Sequence, residues 1–260
     1  MTDRGAHGLG PRPPAAAASL PGRRAAVVGV ESAVGAAIAR ALGSAGADVA
    51  LCALRADEGV LVARGVQREL TRAGRRAATY VMDVTLGRNV QVTTRQIAKE
   101  FGGLDLVVSA SGLPRSGPLS KLTEVELAQL IALNFTAHLF LVRSASPELA
   151  RAGGGTLLLL THEAGARGDP AAAAFAAAQA ATRSLVASLA GGLAEEGVAL
   201  AAISLLGDPG AGIAEQMRED EAASAAARAV ELAAMGTAAA GRIAPAVTAS
   251  AAAVPGEGSA

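Results

Sequence analysis

Two places in the chain put reactive residue types where chemistry could use them. His162 ends an apolar run, Gly155–Thr161, that reads as a buried strand. An imidazole, with an ordinary pKa of about 6.5, suits general acid–base work near neutral pH. Thr161 and Glu163 flank it, but adjacent strand residues point to opposite faces, so both point away from the side that His162 takes. Asn134 and His138 lie one helical turn apart and share a face, with His138 reading as a surface or interface residue. The second place is Gly29-Val30-Glu31-Ser32-Ala33-Val34-Gly35, between a strand and a helix. Such a turn aims backbone N–H groups and a helix N-terminus at a pyrophosphate-sized anion. Gly29 and Gly35 serve either that anion or only the tight turn. Glu31 complicates the site: two like charges at 4 Å repel by about 1 kcal/mol in water and about 4 kcal/mol at an effective dielectric of 20. A carboxylate turned inward would weaken anion binding, and one turned outward would cost little. Three scattered histidines and one cysteine offer no metal-ligand spacing, and no G-x-S-x-G nucleophile elbow is present.

The elements that must position these residues alternate along the chain. Short apolar strands are expected at Ala25–Gly29, Asp48–Ala53, Ala78–Met82, Leu104–Ala110, Gly155–Thr161 and Val198–Leu205. Helices are expected at Ala33–Ala45, Asp57–Arg72, Asn89–Phe101 and Pro170–Glu196, with one long helix or two with a break over Thr123–Ala150. Near-continuous apolar strands alternating with helices imply a parallel sheet covered on both faces, a doubly wound Rossmann-type α/β fold in a single domain over 23–235. Residues 1–22, which include His7, read as a disordered leader rich in Gly, Pro and Ala. Ile213–Met235 reads as a helix whose run Arg218-Glu219-Asp220-Glu221 is a solvated face, and 236–260 as a low-complexity tail without a strand.

The turn G-x-x-x-A-x-G resembles the TGxxxGxG turn of the short-chain dehydrogenase/reductase family, and further matches follow in order. Asp83-Val84 is similar to the family's adenine-contacting pair, with Asp83 alternatively capping its own turn. Ser109-Ala110-Ser111-Gly112 stands where the family has NNAG, Asn134 where it has its helix asparagine, and Phe175-Ala-Ala-Ala-Gln179 where it has YxxxK. The resemblance covers about 24–205. It implies nicotinamide-dependent hydride transfer, with a tyrosine passing the proton, a lysine lowering that tyrosine's pKa, a serine polarising the carbonyl and an asparagine supporting a relay. Here the tyrosine position is Phe175, the lysine position Gln179 and the serine position His162. The Pro-Gly after the sixth strand falls on Leu205-Leu206. In the turn, Ala33 replaces the middle glycine and Val28 the threonine. At the end of the second strand Ala53 stands where NAD-preferring members carry an acid, and Arg55 nearby could meet a 2′-phosphate. NADP or NAD binding is therefore expected to be weak or absent, with Arg55 favouring NADP.

Composition limits the partners. The 260 residues are 51% hydrophobic, about a quarter of them alanine, with 2% aromatics and a net charge of zero. That balance supplies neither a polyanion-binding surface nor stacking platforms for nucleic acid. The single cysteine, Cys52, excludes an intrachain disulfide. Ala15–Leu20 is too short for a signal-peptide core, and Ala171–Ala190, which carries Gln179 and Arg183, fits a buried helix better than a membrane span. A cytoplasmic protein is expected, with no metal and no membrane or nucleic-acid partner. Three functions stay open: a non-catalytic or regulatory subunit that forms a homo-oligomer or pairs with an active paralogue; a repurposed enzyme moving protons with His162 and Asn134; and a weakly active oxidoreductase.

Overall fold

The computed structural model describes residues 18–112, 114–207 and 215–246. The leader over 1–17, the tail beyond 246 and the first residues of the helix expected from Ile213 lie outside the described residues.

Seven strands form one parallel sheet in the order β3-β2-β1-β4-β5-β6-β7. They are β1 (Arg24–Val28), β2 (Asp48–Ala53), β3 (Ala77–Val81), β4 (Leu106–Ser109), β5 (Gly155–His162), β6 (Val198–Leu205) and β7 (Ile243–Pro245). The chain leaves β1 toward one side of the sheet and returns beside it with β4, so the strand order reverses between them. In doubly wound sheets that reversal opens a crevice at the carboxyl ends of the strands.

Helices cover both faces, as the doubly apolar strands require. On one face α1 (Ala33–Ser44), α2 (Glu58–Arg72) and α8 (Glu215–Met235) pack on Val27, Leu51, Val108, Leu158 and Ile203. On the other, α3 (Gly87–Phe101), α5 (Ala137–Arg151) and α7 (Ala173–Glu195) pack on Val28, Cys52, Val107, Leu157 and Leu200. The alternation of partners along each strand follows from its two-residue side-chain period. Two short helices, α4 (Glu124–Ile131) and α6 (Ala164–Arg167), flank the crevice.

The six expected strands are all present. Three details differ from expectation. First, Leu20 is buried and its N–H bonds the Ala45 carbonyl at 2.7 Å, so packed chain begins before the expected end of the leader at 22. Second, the tail expected to lack a strand holds a 3₁₀ turn over Gly236–Ala239 and then β7, paired to β6 through Ala202↔Ile243, Ile203↔Ala244 and Ser204↔Pro245. An edge strand of three residues ending in proline is too short to show a period. Third, the break left open between 123 and 150 is a π-helical segment, Ala132–Thr136, joining α4 to α5. An 18-residue window within this α4–α5 stretch has a mean hydropathy of 1.6, and the stretch has the length to cross a membrane, but its apolar side, including Leu141, Ala145 and Leu149, is core.

Candidate functional site

At the crevice, the β1–α1 turn is shaped by steric need. Gly29 has φ of +86°, and a Cβ there would lie 2.7 Å from the Ala110 carbonyl oxygen. A Cβ on Gly35 would lie 2.2 Å from the Gly29 carbonyl oxygen. Both glycines are therefore demanded by the turn itself. Ser32 caps α1: its Oγ accepts from the Gly35 N–H at 2.9 Å and donates to the Gly29 carbonyl at 2.9 Å. This serine was not singled out in the sequence, though an N-cap before an apolar helix is a readable signal. The Ala33 methyl is exposed at the first position of α1.

Glu31 does not turn toward the start of α1. Its Oε1 accepts from the Leu54 N–H at 3.1 Å, at the end of β2, while its Oε2 is buried without a partner. Gly59 leaves room for it: a Cβ there would come within 3.3 Å of the Glu31 Cβ. Burial pushes the adjacent Cys52 thiol up to about 12, with the Glu31 charge adding to the effect, so this cysteine stays protonated and inert. Arg55 is 83% exposed and paired with Asp57 at 2.9 Å, turned to solvent instead of waiting for a phosphate. Asp83 Oδ1 accepts from the Thr85 N–H and hydroxyl at 2.9 and 2.6 Å, which is the turn-capping role. Val84 is buried beside it.

A cavity of about 190 Å³ runs from this turn to the positions of the family's catalytic residues. Ser32 and Val34 border one end; Ser111, Gly112, Asn134, His162, Phe175 and Gln179 border the rest. Ser109 lies just beneath, its hydroxyl 2.9 Å from that of Ser111. The structure thus gathers Asn134, His162, Ser111, Gly112 and the α1 turn around one space. Glu31 and Arg55 belong to the neighbouring end of β2.

Hydrogen bonds fix the polar side chains of this cavity. Gln179 Nε2 donates to Asn134 Oδ1 at 3.0 Å, and Asn134 Nδ2 donates to the Leu130 carbonyl at 2.9 Å. The Asn134 carbonyl, within the π segment, accepts from the Thr182 hydroxyl at 3.0 Å. That hydroxyl in turn accepts from His138 Nδ1 at 3.1 Å. His138, expected at a surface or interface, is instead wholly buried between α5 and α7, and burial holds it down to about 4. Helical spacing from Asn134 was visible in the sequence, but which face the helix buries was not.

His162 has both ring nitrogens engaged. The Ala164 N–H donates to Nδ1 at 3.0 Å, so Nε2 carries the proton and donates to the Gly207 carbonyl. Burial lowers its pKa, outweighing the opposing effects of that carbonyl and of Glu221 and Glu163. Phe175 packs edge-on against the imidazole with centroids 5.4 Å apart and is 4% exposed. The single tyrosine, Tyr80, bonds Glu100 on α3 at 2.6 Å, and neither lysine, Lys99 or Lys121, borders the cavity.

One anchor was misread from sequence. Glu221, expected on a solvated face, is buried, and its Oε1 accepts from the Leu206 and Gly207 N–H groups at 2.6 and 2.9 Å. The chain leaving β6 has unmet N–H donors there, and a carboxylate one helix away meets two of them.

Known proteins share this architecture. The model of the short chain dehydrogenases matches residues 23–225. Hydroxynaphthalene reductase arp2 of Aspergillus fumigatus is 30% identical over 188 residues, covering 72% of this chain and 67% of that protein. Across the first curated relatives it matches, the chain spans between 43% and 67% of their length. A dehydrogenase/reductase from Sinorhizobium meliloti superposes with a TM-score of 0.77 at 27% identity, covering 88% of this chain and 95% of that one. A metagenomic short-chain oxidoreductase in complex with NADP superposes with a TM-score of 0.74 at 27% identity, covering 87% and 96%. With a family match over most of its length and a seven-stranded parallel sheet in this order, the chain belongs to the short-chain dehydrogenase/reductase family.

Proposed function

We propose that this chain keeps the dinucleotide-binding frame of its family, has given up tyrosine-driven hydride transfer, and acts by association as a non-catalytic or regulatory subunit. The observation that carries this reading is the cavity wall itself. Where a phenol would hand over a proton stands the carbon ring of Phe175, and four residues on stands the amide of Gln179, hydrogen-bonded to Asn134. An amide does not ionise and lowers no neighbour's pKa.

The turn fits a nicotinamide dinucleotide. Gly29 and Gly35 keep it tight, and α1 presents its positive end to the cavity mouth. The NADP held by the metagenomic relative supports NAD(P) as the ligand class. Bound there, a nicotinamide would supply or accept hydride. The pyrophosphate would lie against α1 near Ser32 and Ala33, with Gly112 and Ser111 along the cavity. The penalty considered for an inward Glu31 is eased, because its carboxylate sits at Leu54 and not at the helix N-terminus.

The engagement of both His162 nitrogens supports this reading over a repurposed proton-transfer enzyme built on His162 and Asn134. A second reading, a weakly active oxidoreductase with water as proton source, is favoured by the continuity of the cavity from Ser32 to Asn134. Positioning alone accelerates transfer between bound partners.

The deciding experiment incubates the pure chain with NADH or NADPH and a panel of aldehydes and ketones. No oxidation of the dinucleotide above background is expected. Turnover that disappears in Asn134→Ala would overturn the non-catalytic reading in favour of the weak oxidoreductase; turnover that disappears only in His162→Gln would favour the repurposed enzyme.

A further inference from the structure

At the opposite end of the sheet from the crevice, a cleft of about 530 Å³ lies between the last turns of α3 and α5. The turn Gly102-Gly103, which leads toward β4, borders it. Gly103 has to lack a side chain, because a Cβ there would lie 2.2 Å from Arg24 Nη1. Arg24 itself is committed to Asp105, at 2.7 and 2.8 Å. The charged groups on the cleft are Arg95 and Lys99 of α3 and Glu148 and Arg151 of α5, three cations against one carboxylate.

Ordinary helix chemistry accounts for part of this charge. Each helix ends with about half a negative charge, and Lys99 and Arg151 stand in the last turns of their helices. Glu148 is buried, and Arg151 pairs with one of its oxygens. Arg95 is left over. It lies outside the last turn of α3, is 63% exposed, and stands 3.8 Å from the other Glu148 oxygen, too far for a hydrogen bond. Neither Arg95 nor Lys99 donates a hydrogen bond to any described residue. The two are four residues apart on one face of α3, where like charges repel. The buried carboxylate thus gathers guanidinium groups from two helices at the cleft, and the donors of Arg95 and Lys99 are open to an outside acceptor.

We propose that this cleft binds a small oxyanion with two or more negative charges, a phosphoryl group or a polycarboxylate, through Arg95, Lys99 and Arg151. Guanidinium forks match the paired oxygens of either group. Cations supplied by two facing helices call for an anion with oxygens on more than one side, which chloride does not have. The site stands apart from the dinucleotide reading, because it lies at the starts of β1, β4 and β5 and the α1 turn lies at the strands' carboxyl ends.

The test titrates the full chain with inorganic phosphate and, separately, with citrate, at neutral pH and constant ionic strength, and follows amide NMR shifts. Sodium chloride is the reference. Shifts that saturate at Gly102, Gly103 and Ala152, which border the cleft, are expected with at least one of the two anions and not with chloride. A response to phosphate alone would assign a phosphoryl ligand, and a response to citrate alone a polycarboxylate. Arg95→Gln and Lys99→Gln are each expected to weaken binding about fivefold, the effect of one solvent-exposed charge-assisted contact. Both should melt close to wild type, because neither side chain donates a hydrogen bond within the fold. No saturating shift with either anion, an equal response to chloride, or wild-type affinity in both variants would overturn the proposal. Saturating shifts confined to Gly29, Ser32 and Gly35 would place the anion at the α1 turn and overturn it too. The wild-type shift map needs no variant, so a misfolded substitution does not spoil the test.

Discussion

Gly35 shows how far a residue's role can be decided by space alone. An added methyl would sit 2.2 Å from the Gly29 carbonyl oxygen, a contact that only movement of the backbone could relieve. Gly35→Ala is therefore expected to destabilise the fold by at least about 2 kcal/mol, or to prevent folding. Ala33→Gly, in the exposed first turn two residues away, is expected to cost no more than about 1 kcal/mol. Urea denaturation of the two variants checks the contrast; similar losses would mean the turn can shift to accommodate a methyl group. His138 gives a second prediction at this scale. Its folded pKa, about 4, lies below its unfolded value of 6.5, so the unfolded chain binds more protons between those limits. Stability from its neutral burial is full above about pH 7 and is lost as pH falls toward 4, by about 3 kcal/mol at most. Acids held low in the fold, such as Asp105 and Glu163, act at lower pH, and His162 contributes in the same direction as His138. Denaturant curves at pH 7 and pH 4.5 should show a smaller pH loss in His138→Gln than in wild type; equal losses would place the titration elsewhere. Residue types were legible in the sequence; side-chain directions were not. The glycines, Asn134, Phe175 and Gln179 were found by spacing, but Glu31, Arg55, His138 and Glu221 each needed to know which neighbouring element lies within reach.

At the scale of elements, the sequence reading succeeded where hydrophobic runs were long and failed where a few residues made the element. The strands β1, β2, β4, β5 and β6 carry four to eight residues that are nearly all buried, a pattern that composition alone reveals, whereas the edge strand β3 is only partly buried. Strand β7 has three residues and ends in proline, and only the edge of β6 defines it. The π segment contains neither glycine nor proline, so nothing in Ala-Leu-Asn-Phe-Thr announces an altered helix. Thr182 and Gln179 on α7 bond the carbonyl and side chain of its Asn134, contacts that the local sequence does not show. The join between β6 and α8 is the element most open to test. Glu221 holds the Leu206 and Gly207 N–H groups, and Gly207 in turn accepts from His162. Glu221→Ala is expected to cost about 2 kcal/mol, because hydrogen bonds to a charged group are lost and partly buried donors are left unmet. Glu221→Gln, which keeps an acceptor oxygen, should cost less. Amide exchange at Leu206 and Gly207 should quicken in Glu221→Ala ahead of the β6 amides. Uniform quickening would mean that the loss is global and the anchor is not local.

At the scale of the whole molecule, the proposed role by association makes a prediction about the outer face of α7 and its neighbours. The small side chains at the start of α7 and just before it, Ala171–Ala174 and Ala176–Ala178, divide between inside and outside: Ala172, Ala176 and Ala178 are buried within the chain. The outward stripe of α7 is instead Ala177, Ala180, Ser184 and Ala187, with Leu189 38% exposed beyond it. On the neighbouring helices Ile131 and Leu139 are 48% and 36% exposed. Small residues in line permit close approach of a second helix pair, and the apolar residues around them would lose water on contact. A stable dimer needs about 800 Å² per partner, an area that the outer faces of α4, α5 and α7 together could provide. Light scattering at micromolar concentration is expected to give twice the 25.5 kDa of the chain. Ser184→Arg, placed in the middle of the stripe where a long cation cannot be buried unpaired, is expected to give a monomer. Its intrachain packing should be unaffected, because Ser184 is exposed within the single chain. A dimer that survives Ser184→Arg would move the interface off α7. A wild-type monomer would rule out self-association at these concentrations. The same stripe would then have to be tested against an active relative, where recovery of a mixed dimer, lost in Ser184→Arg, is the result that a regulatory subunit requires.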